Sequence, residues 1–336
     1  MNKKIKSMKA EGKYHGNDTN SNVKKRIGRS FYRGDNVNFN PYLKDFENKD
    51  FLDKYLFEGW KPNCKIITKD TKVTAFGSCF ATNIANHLSN AGYTLSKDEQ
   101  PDIYISSMGE GLVNTFSLLQ QFEWALEDKV PSQELWHGYT AEDYGYSDDI
   151  KEKTKEVFLN TDFFIITLGL SEIWYDEPTE EVFWRAVPIA KVDPSRHKFR
   201  VCTLSETKEN LQKIYNIIQK HIPNARLLFT LSPVPLAATF RPISCMTANS
   251  VSKSILRAAL DEFYRDNWKN VNSNLFYFPS YEIVTELFFQ KFSEDNRHPR
   301  KEIIEVIMNL FEHYYCDTEI KDIESLYKDL REKTKP

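Results

Sequence analysis

Hydrophobic positions form two kinds of pattern along this chain. Short apolar runs predict strands, and apolar residues at helical spacing predict helices. The run Asp162 to Leu168 (DFFIITL) is almost entirely apolar, which is typical of a strand buried on both faces of a parallel sheet. Four other short apolar runs also predict strands. They are Val73 to Phe76, Asp102 to Ser106, Arg226 to Leu231 and Leu275 to Phe278.

Apolar residues spaced three or four positions apart predict helices between these strands. The first predicted helix directly follows Val73 to Phe76 and ends at Gly92, which is a helix stop signal. The pattern Thr203 to Glu206 is a capping box that begins another helix. The later predicted helices span Leu112 to Leu126, Thr203 to His221, Thr247 to Trp268 and Arg300 to Tyr315, the last with Pro299 in its first turn. Strands that alternate with helices predict a parallel, three-layer α/β sheet.

Two stretches show neither the strand pattern nor the helix pattern and are predicted as loops over one edge of the sheet: Trp136 to Leu159 and Glu172 to Lys198. The chain as a whole is predicted to have three parts. Residues 1–40 form a basic N-terminal arm, residues 41–316 a single domain, and residues 317–336 a charged C-terminal tail.

Composition narrows the class of protein. The 336 residues are 40% hydrophobic and 28% charged, as in ordinary soluble globular proteins. The longest notable apolar run, Phe163 to Leu168, is far too short to cross a bilayer, so no stable membrane insertion is expected. The N-terminus shows no secretory pattern and the five cysteines are scattered without CxxC spacing. We therefore expect a cytoplasmic protein with no metal site and no cofactor.

Charge is unevenly distributed. Residues 1–33 carry ten Lys or Arg against two acids, a local charge of +8, which leaves −11 for the rest of a chain whose net charge is −3. The arm has the composition of a disordered tail, although a basic arm can also bind phosphates or anionic lipid. Nucleic-acid binding is not expected, because the body is acidic and carries no reading motif. No feature of the sequence indicates an oligomeric state.

Chemistry is expected where strands end, because ligands of open α/β sheets bind at the carboxyl ends of the strands. Gly77-Ser78-Cys79 follows the first predicted strand and opens a helix. Ser78 is either a helix cap or a nucleophile whose own N–H faces the developing oxyanion. Cys79 is a second candidate, since a helix N-terminus favours a thiolate. Adjacent side chains diverge by about 100° on a helix, so only one of the two can face a given base.

A second polar group lies in SEDNRHPR, where Asp295 and His298 are three residues apart just before a helix. A serine nucleophile needs a base, and the base needs an acid that holds its tautomer. Three-residue spacing on a tight turn lets Asp295 hold one imidazole nitrogen while the other faces a serine. The alternative is a surface turn in which Asp295 pairs with Arg297 or Arg300.

A third polar group, TLGLSEIW, follows the apolar strand. Gly169 permits close approach, and Ser171 or backbone N–H groups could complete an oxyanion hole. Glu172 would oppose a developing negative charge, so we expect it to pair with Arg241 or Lys253 or to bind sugar hydroxyl groups.

Several ordered motifs together resemble one family over about residues 60 to 315. The GSCFA run from Gly77 to Ala81 is the signature that names the GSCFA-domain family. Further resemblance lies in TLGLSEIW, LSPVPLAATF, TANSVSKSILRAA and YFPSYEIV followed by DNRHP. This family looks related to the SGNH (GDSL-like) hydrolases, which implies a flavodoxin-like three-layer parallel sheet with helices on both faces and a Ser-His-Asp triad.

The resemblance implies a role for particular residues. Ser78 resembles the nucleophile, His298 the base and Asp295 the orienting acid, while Gly111 looks like the second-block glycine that offers an N–H to the oxyanion. The sequence departs from the SGNH pattern in two blocks. Phe-Gly-Ser stands in place of Gly-Asp-Ser, and Gly-Leu-Ser-Glu at residues 169–172 lacks the usual asparagine donor.

Members of the family often lie near bacterial surface-polysaccharide genes, which implies acyl-ester chemistry on carbohydrate. We therefore expect a serine esterase or O-acyltransferase whose partner is an acylated saccharide, with acetyl as the expected acyl group, or an acyl donor. The alternative is a non-catalytic saccharide-binding or scaffold protein on the same fold. Asn249 and Lys253, within TANSVSKS, either reach the substrate or cap and decorate a helix.

Overall fold

A computed structural model describes residues 38–107, 111–132, 134, 147–318, 320 and 322–336. The predicted basic arm therefore lies almost entirely outside the described residues. The chain divides between Phe51 and Leu52 into two compact units. In the first, a 3-10 helix spans Leu43–Glu47 and the Phe46 ring stacks on Phe51 with ring centroids 4.4 Å apart.

A four-stranded parallel sheet forms the centre of the second unit. Its strands are β1 (Val73–Gly77), β2 (Phe163–Leu168), β5 (Arg226–Leu231) and β6 (Leu275–Phe278), in the spatial order β1-β2-β5-β6. Two further strands, β3 (Glu172–Asp176) and β4 (His197–Val201), pair antiparallel as a separate ribbon. Since β2 lies between β1 and β5, loops that follow these three strands meet at one edge of the sheet.

Helices connect the strands. In chain order they are α1 (Phe51–Tyr55), α2 (Cys79–Asn90), α3 (Ser96–Glu99), α4 (Tyr104–Ser107), α5 (Thr115–Leu126), α6 (Asp148–Leu159), α7 (Leu204–His221), α8 (Cys245–Asp266), α9 (Ser280–Leu287), α10 (Lys301–Tyr315) and α11 (Ile323–Lys333), with a 3-10 turn at Trp268–Asn270. None of the helices in the described part of the chain has the length and apolar content needed to span a membrane.

Alternation along the strands separates the two covering layers. On one face Phe164, Ile166 and Leu168 join a core contributed mainly by α5, α6, α7 and α8, in which α7 packs between α5 and α8. On the other face Phe278 packs edge-on against rings of α10, with centroids 5.3 Å from Phe311 and 5.9 Å from Tyr315. This arrangement confirms the three-layer α/β fold with helices on both faces of a parallel sheet.

The structure corrects three predictions of local structure. The predicted strand Asp102 to Ser106 is replaced by α4, because a short apolar run does not distinguish a strand from a buried helix. The predicted loop 136–159 ends in α6, and its residues 136–146 lie outside the described part. The predicted loop 172–198 contains β3 and the start of β4.

Residues 317–336 were predicted to be a charged tail, and the structure forms α11 within them. Three apolar side chains of this helix are buried: Ile323, Tyr327 and Leu330. Arg331 is buried with them and donates a hydrogen bond to the carbonyl oxygen of Leu287 at the end of α9. The packing against α10 and α9 makes α11 part of the second unit.

Gly77, the last residue of β1, lies opposite Thr167 of β2 in the sheet register. Its φ of +127° is in the region that favours glycine. A Cβ added to Gly77 would clash with the carbonyl oxygen of Thr167 and lie 2.8 Å from its Oγ1. The end of β1 therefore requires glycine for both its backbone conformation and its close contact with β2.

We predict that Gly77→Ala lowers the free energy of unfolding by about 3 to 5 kcal/mol, because backbone strain and steric overlap act together. Urea denaturation followed by circular dichroism measures the change. Gly59→Ala is the matched control: Gly59 has a φ of +79° but no atom within 4 Å of an added Cβ. Its expected loss is about 1 kcal/mol, from strain alone. Equal losses in the two variants would contradict this account of Gly77.

Candidate active site at the carboxyl edge of the sheet

Ser78 lies at the junction between β1 and α2. It is the N-cap of α2, with φ −86° and ψ 171°, and its Oγ accepts a hydrogen bond from the backbone N–H of Phe80 at 3.3 Å. The residue is only 3% exposed. The capping role considered from the sequence is therefore present in the structure. Capping does not consume the hydroxyl proton, which stays available for chemistry.

Thr167 makes the closest polar contacts of Ser78. The backbone N–H of Ser78 donates to Thr167 Oγ1 at 2.6 Å, and the two hydroxyl oxygens are 2.8 Å apart. Thr167 is fully buried at the end of β2. The N–H that was expected to face an oxyanion is thus directed at Thr167 in this structure.

Asp295 and His298 form a pair on the turn before α10. Asp295 Oδ2 lies 2.5 Å from His298 Nδ1, while its Oδ1 accepts the backbone N–H groups of Arg297 and His298, each at 3.0 Å. Hydrogen bonds from His298 and from these two backbone groups lower the pKa of Asp295 to about 2. The carboxylate is therefore charged at neutral pH and holds the Nδ1 side of the imidazole, which leaves Nε2 directed elsewhere.

The guanidinium groups of the two alternative partners do not pair with the Asp295 carboxylate. The guanidinium of Arg297 makes long contacts, both 3.4 Å, with the carbonyl oxygen of Pro235, and Arg300 pairs with Glu302. Since Pro235 follows β5, the contact of Arg297 places the Asp295–His298 turn beside a loop at the carboxyl edge. No hydrogen bond joins His298 to Ser78, both of which the structure describes, and the imidazole side chain is 48% exposed.

The loop that contains Gly111 and the loop that follows β2 meet at Val113. Its carbonyl oxygen accepts the N–H groups of Gly169 at 2.9 Å and Leu170 at 3.2 Å. A Cβ on Gly169 would lie 2.8 Å from the Val113 Cβ, so this approach requires glycine. Gly111 is buried two residues earlier. The contact connects the loop that contains Gly111 with the loop that follows β2.

Ser171 is held by its backbone rather than by its hydroxyl group. Its N–H donates to Ser252 Oγ of α8 at 2.9 Å, and its carbonyl accepts the N–H of Cys202 at 2.7 Å. The Ser171 hydroxyl oxygen is buried and makes no hydrogen bond with a described residue. A buried hydroxyl without a partner is unfavourable in an unliganded protein and is the kind of group that a substrate oxygen can satisfy.

Lys253 has a buried amino group that holds two loops together. Its Nζ donates to the carbonyl oxygens of Gly169, after β2, at 2.7 Å and of Ser232, after β5, at 2.8 Å. The residue is 2% exposed, and burial lowers the pKa of its amino group to about 7. Lys253 was predicted to reach the substrate, to decorate a helix or to pair with Glu172, and in the structure its amino group contacts these two loop carbonyls and not Glu172.

Glu172 and Asn249 also contact the loop that follows β5. Glu172 is 8% exposed, accepts the hydroxyl of Thr239 at 2.9 Å, and has its pKa raised by burial against the opposing effects of Thr239 and the Arg241 charge. Asn249 Oδ1 accepts the N–H of Leu236 at 3.0 Å. Of the cations considered, Arg241 is therefore the one that acts on Glu172.

Cys79 is the second candidate nucleophile. The residue is half-buried, and a thiolate at this position would favour the charged form of Lys253, so Cys79 lies near the Lys253 amino group. In the part of the chain that the structure describes, no group of three or more His, Cys, Asp or Glu residues could hold a metal ion.

Sequence reasoning did not single out Thr167 or Ser252. The sequence does contain a signal that could have identified Thr167. It is the one hydroxyl residue in the otherwise apolar run FFIITL and is the second-to-last residue of that run. Ser252 had none, since its role depends on which turn of α8 faces the loop after β2.

The fold and this edge together define a three-layer α/β protein with a serine at a strand–helix junction and an Asp–His pair on a later turn. The chain belongs to the GSCFA family, whose family model matches residues 72–311. No curated protein matches the sequence. Among solved structures, an acetyl xylan esterase (Est2A) from the rumen bacterium Butyrivibrio proteoclasticus is similar at 13% identity and a TM-score of 0.33. That alignment covers 74% of this chain and 64% of the esterase, less than two thirds of its length.

Burial of Lys253 predicts a pH dependence of stability. Its folded pKa of about 7 is below the usual value of 10.5, so unfolding takes up a proton between these pH values. The stability associated with the neutral amine is complete above pH 10.5 and is lost as the pH falls towards 7. We expect the free energy of unfolding of the wild type, relative to that of Lys253→Met, to rise by about 2 to 3 kcal/mol from pH 7.5 to 9.5.

Urea denaturation at the two pH values measures this difference. Lys213→Met is the control, because Lys213 is half-exposed and forms only a surface ion pair with Glu209. Its effect should be equal at both pH values. If the stability difference between the wild type and Lys253→Met were also the same at both pH values, the lowered pKa of Lys253 would be contradicted.

Proposed function

We propose that this protein is a serine esterase or O-acyltransferase that acts on acyl esters of a saccharide. Ser78 is the nucleophile, His298 the general base and Asp295 the acid that orients it. The observation that carries the proposal is the Asp295–His298 pair, in which a carboxylate holds Nδ1 and leaves Nε2 for a second partner. The contact of this turn with the loop after β5 supports its placement at the edge where Ser78 lies.

The proposed reaction follows the acyl-enzyme route. As the Ser78 Oγ attacks the acyl carbon, its proton passes to His298 Nε2, and the charged Asp295 stabilises the imidazolium. His298 then returns the proton to the leaving sugar oxygen. Water resolves the acyl-enzyme in hydrolysis, and a sugar hydroxyl does so in transfer. The step requires His298 to approach Ser78 when substrate binds, as catalytic hydrogen bonds often tighten only in the complex.

The proposed oxyanion hole uses groups of the loops after β2 and before α5. Gly111 supplies a backbone N–H and Ser171 its buried hydroxyl, which has no partner among the described residues. The Ser78 N–H was the third expected donor and now faces Thr167. Donors that are fixed before the reaction stabilise a developing charge at little reorganisation cost.

The saccharide part of the proposal is supported by side chains next to this edge. The Trp174 ring contacts Phe240 at 4.8 Å and Phe199 at 5.8 Å between centroids, and Phe240 is 57% exposed. Aromatic faces bind the apolar faces of sugars, and a carboxyl such as Glu172 accepts sugar hydroxyls. An acetyl group and a surface-polysaccharide substrate are inferred from the family resemblance. Asn249 and Lys253 then act by holding the loops that line the substrate.

A non-catalytic saccharide-binding protein is the second candidate. The observation that favours it is the hydrogen bonding of Ser78, whose hydroxyl contacts Thr167 and not His298. Active-serine labelling separates the two candidates, because only a catalytic protein activates Ser78.

We predict that a fluorophosphonate probe labels the wild type at Ser78 and that Ser78→Ala abolishes labelling. His298→Ala should slow labelling by about 10² to 10⁴-fold, because the proton of Ser78 then has no acceptor. Cys79→Ser should label at the wild-type rate. Gel fluorescence over time gives the rates, and mass spectrometry of the labelled peptide gives the site.

His221→Ala is the matched control for His298→Ala, since His221 lies on α7 and pairs with Glu127. Labelling of Cys79 in place of Ser78 would reject the assigned nucleophile. If the probe did not label the wild type, the proposed enzyme activity would be rejected and the saccharide-binding protein would be the remaining candidate.

A second prediction concerns Glu172. We expect Glu172→Gln to raise the KM for an acetylated saccharide by about 3- to 10-fold, because a neutral amide oxygen is a weaker hydrogen-bond acceptor than a carboxylate, while hydrolysis of p-nitrophenyl acetate stays unchanged. Glu177→Gln, at an exposed position that pairs with Lys198, is the control. Equal effects on both esters would mean that Glu172 supports the fold and does not bind the saccharide.

Adding a free saccharide acceptor to the same assay separates hydrolysis from transfer.

A further inference from the structure

We propose that Thr167 is a positioning residue of the reaction: its hydroxyl donates a hydrogen bond to Ser78 Oγ and supports the alkoxide as Ser78 attacks. This inference rests on the proposed function, because it concerns the same nucleophile. It assigns a role to a residue outside the Ser-His-Asp triad.

We take Thr167 as the donor, since the distance between the two hydroxyl oxygens alone leaves the direction of this hydrogen bond open. Thr167 Oγ1 accepts the Ser78 N–H at 2.6 Å and has one proton of its own to donate. Two acceptors are near that proton: Ser78 Oγ at 2.8 Å and the Ser78 carbonyl oxygen at 3.5 Å. If Ser78 donated its proton to Thr167, the proton of Thr167 would be left with the long contact. Donation from Thr167 to Ser78 Oγ instead gives the Thr167 proton the 2.8 Å contact, and the proton left without an acceptor among these contacts is that of Ser78.

The same count leaves the proton of Ser78 free for a base. In this arrangement Ser78 Oγ accepts two hydrogen bonds, from the hydroxyl of Thr167 and from the N–H of Phe80 at 3.3 Å. Its own proton is then directed to neither group. The Ser78 N–H also polarises Thr167 Oγ1, so the two residues form a short ring of hydrogen bonds.

The backbone prevents Thr167 from moving away. Thr167 is fully buried, lies opposite Gly77 in the parallel register of β1 and β2, and occupies the space that a Cβ on Gly77 would fill. The absence of a side chain at residue 77 is therefore what allows the Thr167 hydroxyl to reach Ser78.

The step balances with Thr167 as a hydrogen-bond donor only. The Ser78 Oγ–carbon bond forms, the carbonyl electron pair moves to oxygen, and the Ser78 proton passes to His298 Nε2. Loss of that proton gives Ser78 Oγ a third lone pair, which attacks while the other two stay hydrogen-bonded to Thr167 and Phe80. Thr167 keeps its proton throughout. Because the Ser78 N–H stays on Thr167, the oxyanion depends on the other donors, Gly111 and Ser171.

The experiment compares Thr167→Val with Thr167→Ser in the full chain. Fluorophosphonate labelling at varied probe concentration gives a maximal first-order rate and an apparent affinity for each protein. We expect Thr167→Val to lower the maximal rate by about 10- to 100-fold, as for loss of a hydrogen bond to a charged group, with unchanged affinity. Thr167→Ser keeps the hydroxyl and should stay within about threefold of the wild type.

Thr230→Val is the matched control. Thr230 lies beside Thr167 in the register of β2 and β5, is also fully buried, and bonds to Phe278 O at 2.6 Å and Ser280 Oγ at 2.7 Å instead of Ser78. It should label at the wild-type rate. If Thr167→Val does not fold by circular dichroism, Thr167→Cys replaces it, because a thiol is similar in size and a weak hydrogen-bond partner.

The outcomes separate this role from the proposed function. A labelled wild type with Thr167→Val at the same or a higher rate rejects the role of Thr167 alone, as does an equal loss in Thr167→Ser or in Thr230→Val. A wild type that is never labelled rejects the proposed function and the role with it.

Discussion

The close contact between Gly77 and Thr167 determines where Ser78 lies. β1 can end in the required conformation because residue 77 has no side chain, and Thr167 fills the vacant space. Its hydroxyl then contacts both the N–H and the Oγ of Ser78. The serine is therefore held by two neighbouring parallel strands as well as by the helix that it caps, and this rigidity is what a nucleophile needs.

The loops after β2 and β5 are held from one helix, α8. Ser252 accepts the Ser171 N–H, Lys253 ties the carbonyls of Gly169 and Ser232, and Asn249 accepts the Leu236 N–H. Burying a lysine is unfavourable in its charged form, which explains the lowered pKa of Lys253. In return the loops after β2 and β5 are fixed to each other. Their separation, and so the shape of the edge, depends on this helix.

Much of the fold could be predicted because its signals are local. β2 and β5 follow from apolar runs, and the capping box of Thr203 and Glu206 forms as its residues predict. α4 was predicted as a strand because a five-residue stretch with three apolar residues fits either structure. α6 was missed because its buried side is limited to Thr154, Val157 and Phe158 in an otherwise charged segment.

The site was predictable only where its chemistry is contiguous in sequence. Asp295 and His298 are three residues apart, so their contact could be expected from spacing. Thr167 and Ser78 are 89 residues apart, and their contact follows from strand order and register, which no local pattern contains. The contacts of Lys253 depend in the same way on the rotation of α8 against two loops.

A crystal structure of the fluorophosphonate-treated protein would show whether Ser78 and His298 act as one unit, as we propose. We expect a phosphonate on Ser78 Oγ, with His298 Nε2 about 2.6 to 3.2 Å from the Oγ or from a phosphonate oxygen and Nδ1 still on Asp295. A phosphonylated Ser78 with His298 still in solvent, and another group within that distance, would contradict the assignment of the base.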